Sequence, residues 1–152
     1  MRSYVRPARV GECDAPAMAI INTLKKCLES PYLFEDADAP KRVGGLLTKA
    51  GDRIEASANI LAGGQGDPAD VSFLSYEAMF CCLRALVYAK GYREAGLRCL
   101  LLACEKLYVR EGLIDAAHLQ AFERVQGLKT PPAESFAAAS AFVKRTLELI
   151  AV

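Results

Sequence analysis

The chain has 152 residues, 53% of them hydrophobic and 24% charged, with 19 basic and 18 acidic side chains for a net charge of +1. These values exclude an intrinsically disordered chain. They also lack the basic excess of a committed nucleic-acid binder, which leaves only a local patch open. The length suits one domain, and Arg84, Arg98 and Lys106 interrupt the longest apolar runs before they reach the ~20 residues of a membrane span.

The opening residues Met1 to Pro7 have no apolar core of about 7–15 residues behind them. The chain is therefore expected in the cytosol, with its six cysteines reduced and acting as small apolar residues. Residues 14–29 read as a first helix, with Asp14-Ala15-Pro16 at its start and an apolar face of Met18, Ile21, Leu24 and Leu28. Ser30-Pro31 ends it, and residues 32–40 read as acidic and irregular. A second helix spans about 42–61, with Leu46, Leu47, Ile54 and Ile60 as apolar positions. The run from Gly63 to Pro68 then breaks the chain.

The third helix is capped by Asp70 or Ser72 and ends at Lys90, before Gly91. Phe73, Tyr76, Phe80, Leu83 and Val87 form its main stripe, and Leu74, Met79, Cys82 and Leu86 widen it. A helix so apolar belongs at the centre of a core or beneath a partner. Its polar positions are Glu77 and Arg84, and Arg84 is expected to pair with Glu77 or with a neighbouring helix. Helices over about 94–108, 115–128 and 133–150 complete an all-α, up-and-down bundle of five to six helices. Residues 1–40 are read as an appendage on a compact bundle of 41–152.

Chemistry-bearing patterns are few. His118 is the single histidine, so it alone could anchor a nucleophile–base pair. No Cys-x-x-Cys pair, Glu-x-x-His pair or phosphate-loop signature is present. Gly63-Gly64-Gln65-Gly66 lacks the following lysine of such a loop, and Asp36 and Asp38 read as solvated carboxylates. No metal, cofactor or catalytic residue is expected. The residues suited to a phosphate-bearing ligand are Arg84, Arg98, Arg124 and Lys129.

Within the third helix, Tyr76, Ala78 and Phe80 precede the run Arg84-Ala85-Leu86, and Gly91 follows. This order resembles the central helix of the HEPN family, and the helices before and after it fit the same pattern over roughly residues 42–150. The resemblance implies a dimeric helical bundle associated with RNA cleavage, or with a separately made nucleotidyltransferase as in toxin–antitoxin pairs. Ribonuclease members carry an Arg followed by a His on a late helix. Here Arg124 matches the Arg, and Lys129 and Thr130 stand where the His belongs. The first expectation is thus a non-catalytic HEPN-like homodimer that binds a nucleotidyltransferase, a nucleotide or RNA. The alternatives are a ribonuclease with displaced residues Arg124, Lys129 and His118, or a helical scaffold with no nucleotide role.

Overall fold

The computed structural model describes residues 21–127 and 130–150. Its order is α1 (Leu24–Leu28), β1 (Leu33–Glu35), a 3-10 turn (Ala39–Arg42), α2 (Val43–Leu61), α3 (Pro68–Ala89), β2 (Tyr92–Glu94), α4 (Leu97–Cys104), a π-helical turn (Glu105–Val109), α5 (Ala116–Gln126) and α6 (Pro132–Leu149). The described residues form an all-α bundle with a small antiparallel ribbon at one end. The proposed helix start at Asp14 and the apolar position Met18 lie outside the described residues.

Helix α3 is the axis. Val71, Ala78, Met79, Cys82, Leu83, Leu86 and Val87 are fully buried. By length and hydropathy α3 alone among the described helices is apolar enough to cross a membrane, charges notwithstanding, yet 67% of its most apolar window is buried inside the bundle. Its start lies before the expected cap. Asp67 Oδ1 accepts the Ala69 N–H at 2.9 Å and Pro68 occupies the first turn, which satisfies one of the orphan donors of the helix.

Helix α2 packs along α3 through Val43, Leu47, Ala50, Ile54 and Ser57, a stripe alternating steps of four and three. An ion pair from Arg53 Nε to Glu77 Oε1, 3.1 Å, joins the two helices. Glu77 is thereby engaged by α2, and Arg84, expected to pair with Glu77 or with a neighbouring helix, pairs instead with Glu94 of β2. Helix α5 adds Phe122 and Val125, and α6 adds Ala139, Phe142 and Val143.

Three features depart from the expected pattern. First, the irregular stretch before α2 contains β1, paired with β2 in the register Leu33↔Glu94, Phe34↔Arg93 and Glu35↔Tyr92. Three-residue strands are too short to show a period of two, and they exist because each supplies the other's hydrogen bonds. Second, the fourth helix changes to π-helical bonding after Cys104, with Arg110 N–H donating to Glu105 carbonyl at 2.9 Å. Tyr108 is turned into the core, where its hydroxyl donates to the Leu86 carbonyl at 2.6 Å. That carbonyl is one of the last four of α3, which an uninterrupted helix leaves unpaired.

Third, Cys27 and Cys99 form a disulfide, so the expectation of six reduced thiols is corrected. The pair is separated by 72 residues, a distance over which spacing carries no signal. Cys27 is the only buried side chain of α1, so the bond ties that short helix to α4. Leu33, also fully buried, and the ribbon attach the rest of residues 21–40 to the same core. Cys81, Cys82 and Cys104 are free and buried.

Candidate functional site

Two concavities stand out. One, of about 480 Å³, is lined by Arg42, Gly45, Leu46, Arg84, Tyr88, Arg93 and Glu94. It joins the start of α2, the last turns of α3 and strand β2. Gly45 has open space around its α-carbon, so no side chain from α2 fills the cleft at that point.

Arg84 is held from two sides. Its guanidinium carbon lies 4.5 Å from the centre of the Phe80 ring. Its Nε and Nη2 donate to Glu94 Oε2 at 3.2 and 3.1 Å. Phe80 in turn packs edge-on against Tyr76 and Phe122, which stack on each other at 5.1 Å. A guanidinium above a ring and beside a carboxylate has little rotational freedom left. Its orientation is set by Phe80 and Glu94 alone.

Glu94 is the keystone of the cleft. Its side chain is 8% exposed, against 40% for Arg84. Its second oxygen accepts the Tyr88 hydroxyl at 2.6 Å. Burial, together with this bond to a carboxylate, pushes the Tyr88 phenol up to about 12. Tyr88 therefore stays protonated at neutral pH and serves as a donor. Arg93 completes the cleft and faces Asp36 Oδ2 at 3.6 Å. Asp36 Oδ1 meanwhile accepts the Asp38 N–H at 2.9 Å, so the two loop carboxylates shape a turn. No group of three or more metal-ligating side chains occurs among the described residues.

Replacing Glu94 with alanine removes both acceptors at once. We expect a loss of about 2 kcal/mol, below the cost of breaking a fully buried pair because Arg84 can still reach water. The midpoint of urea unfolding measures it. Ultraviolet titration of the same variant should show the Tyr88 phenol moving back toward its ordinary value of 10, since part of its elevation comes from Glu94.

The second concavity, about 440 Å³, runs between α4 with its π turn and α5. Leu97, Leu101, Leu102, Val109 and Leu119 make it apolar, and Arg98, Glu105 and Glu123 border it. With two carboxylates to one guanidinium, this rim does not suit an anion. Arg98 has a structural task there: its Nε donates to the Ile21 carbonyl at 2.8 Å and fixes the chain ahead of α1.

Of the four expected ligand residues, the three that are described lie apart. Arg84 stands in the basic cleft and Arg98 in the apolar groove. Arg124 is exposed in the last turn of α5 and lines neither. Lys129 lies outside the described residues. His118 is half-buried, stacked on Phe142 with ring centres 5.2 Å apart, and burial lowers its pKa. Six residues separate His118 from Arg124, which sets them about 120° apart around the helix at 3.6 residues per turn. They do not converge within one copy. Arg42 and Arg93 were missed by sequence reasoning, because their approach to Arg84 depends on the ribbon and on the α2–α3 packing.

Compared with protein-family models, curated proteins and solved structures, the chain shows no significant match to any of them.

Proposed function

We propose that this protein is a non-catalytic, HEPN-like binding bundle whose Arg42–Arg84–Arg93 cleft takes the phosphate groups of a nucleotide or RNA in the cytosol. The observation that carries it is the convergence of three guanidinium groups from α2's entry, α3 and β2 on one concavity, with Arg84 already oriented by Phe80 and Glu94. Planar forks of this kind suit phosphate oxygens. Tyr88, protonated at neutral pH and committed to Glu94, is a poor general base, and no imidazole lines the cleft.

The test is binding of labelled RNA, followed by anisotropy, at two salt concentrations. Three phosphate contacts to a single strand correspond to a slope of about −2 in log affinity against log salt, or roughly 15-fold weakening from 50 to 200 mM. Arg84→Ala should abolish most of that binding. Salt-independent binding that survives the substitution overturns the proposal. No cleavage of RNA above background is expected. Cleavage lost in Arg124→Ala would instead establish the ribonuclease alternative.

The resemblance to HEPN bundles adds two partners, a second copy of the chain and a separately made nucleotidyltransferase. Phe73, 57% exposed on the central helix, supports a face for the second copy. Light scattering at micromolar concentration should return the mass of a dimer, and Phe73→Glu should return that of a monomer. A monomeric wild-type protein sinks this part.

A further inference from the structure

Strand β1 and the residue before it carry two half-exposed rings, of which Tyr32 rests one side against Gly96. Tyr32 is 47% exposed and Phe34 42%, whereas Leu33 between them is fully buried. The ladder explains the alternation. Ala95 N–H donates to the Tyr32 carbonyl and Asp36 N–H to the Gly91 carbonyl, both at 2.9 Å, so the β1–β2 register continues unbroken beyond the strands at both ends. In that register Tyr32 and Phe34 fall on one face, and Arg93 stands directly opposite Phe34 on the same face.

Arg93 also lines the cleft that holds Arg42 and Arg84. The exposed rings and the basic cleft therefore meet at one residue. The cleft's own carboxylate, Glu94, is occupied by Arg84 and Tyr88. Asp36 is occupied by Arg93 and the Asp38 amide. Arg42 is exposed, and Arg84 and Arg93 are partly exposed with more N–H donors than these carboxylates accept.

We propose that Tyr32 and Phe34 form a base-stacking platform, and that the ligand of the arginine cleft is single-stranded nucleic acid. The proposal rests on the phosphate-binding role of the cleft and specifies what carries the phosphates. A free mononucleotide has one base and occupies one ring. Two rings two residues apart along a strand are separated by about 6.6 Å of backbone rise. This is about twice the 3.4 Å rise per nucleotide of a stacked duplex strand. Such spacing suits bases splayed from an extended strand, each on its own ring, while the connecting phosphates pass the arginines. Stacking is tolerant of base identity, so little sequence preference is expected.

The chain contains no tryptophan, which allows a clean reporter. Phe34→Trp is titrated with a dodecamer of uridylate, a dodecamer of thymidylate, inorganic tripolyphosphate and polyglutamate. Both oligonucleotides should quench the tryptophan emission, and the stronger of the two identifies RNA or DNA as the source. Tripolyphosphate should bind, as read by its competition with the oligonucleotide, without quenching. Phe34→Ala should weaken the oligonucleotide by about 5- to 150-fold, the loss of one stacked base, and leave tripolyphosphate within two-fold. Tyr32→Ala provides the same test on the second ring, and circular dichroism checks that each variant is folded.

If tripolyphosphate binds in an Arg84-dependent manner and neither ring matters to the oligonucleotide, the platform is overturned while the phosphate-binding role stands. If neither tripolyphosphate nor the oligonucleotides bind, both fall. Quenching by polyglutamate equal to that by the oligonucleotides would overturn the platform in favour of an acidic peptide.

Discussion

Reduction of the Cys27–Cys99 disulfide is expected to lower the midpoint of thermal unfolding by about 10 °C. The bond closes a loop between residues 72 apart. Loop-closure entropy for that length is worth about 4 kcal/mol. For a chain of this size each kcal/mol moves the midpoint by roughly 2–4 °C. A second contribution acts in the native state: Cys27 is the only buried side chain of α1, so reduction removes that helix's covalent hold on α4. Scanning calorimetry with and without a dithiol reductant measures the effect. Cys27→Ala/Cys99→Ala should reproduce it, and the reductant should then have no further influence. An unchanged midpoint would show that the bond contributes nothing to stability. In the reducing cytosol such a bond is uncommon, so its redox state in cell extracts bears directly on where the protein works.

The helices were legible because their signals are local. The α2 stripe, Gly91 at the end of α3, Asp115 at the start of α5 and Pro131-Pro132 before α6 are each read within a few residues. From α2 to α6 the observed ends fall within a few residues of those expected, whereas Ile21 to Thr23, expected inside the first helix, are not helical and α1 begins at Leu24 behind the Thr23 cap. The ribbon was not legible, because Leu33–Glu35 and Tyr92–Glu94 become strands only through each other. The disulfide failed for a similar reason, as two cysteines 72 residues apart meet only after α1 has docked.

The cleft shows the same limit. Arg84 stands out because it interrupts an apolar helix, and it lines the cleft. The carboxylate that orients it sits ten residues later on a strand invisible to periodicity, and Glu77, one of the two partners expected, is taken by Arg53. Arg42 and Arg93 are ordinary arginines in sequence, and the packing of three elements brings them to the same concavity as Arg84. Arg98 and Arg124, by contrast, sit on surfaces away from this cleft.

Above pH 9 the fold is expected to lose stability steeply. Cys82 and Cys104 are fully buried, and burial pushes each thiol from 9.0 up to about 12. Tyr108 and Tyr88, both nearly buried, rise from 10.0 to about 12, again chiefly through burial. In every case the folded state holds its proton where the unfolded chain has released it. Stability is therefore fully present below the unfolded values and falls as pH rises toward the folded ones. Each retained proton corresponds to about 1.4 kcal/mol per pH unit. Two thiols, half ionised in the unfolded chain at pH 9, imply a decline of about 2 kcal/mol between pH 9 and 10, and the two phenols bring the slope toward about 5 kcal/mol per unit near pH 11. Against a total stability of about 5–15 kcal/mol, the chain should unfold before pH 12. Urea midpoints from pH 7 to 11 measure the curve, which should stay level near neutrality and bend downward at about 9. Burial raises the Cys81 thiol as well, so Cys81→Ala, Cys82→Ala and Cys104→Ala, combined, should move the bend to about pH 10, where the phenols begin. A curve that stays level through pH 10.5 would show that these thiols ionise within the folded protein, and that the core around α3 admits charge far more readily than its packing implies.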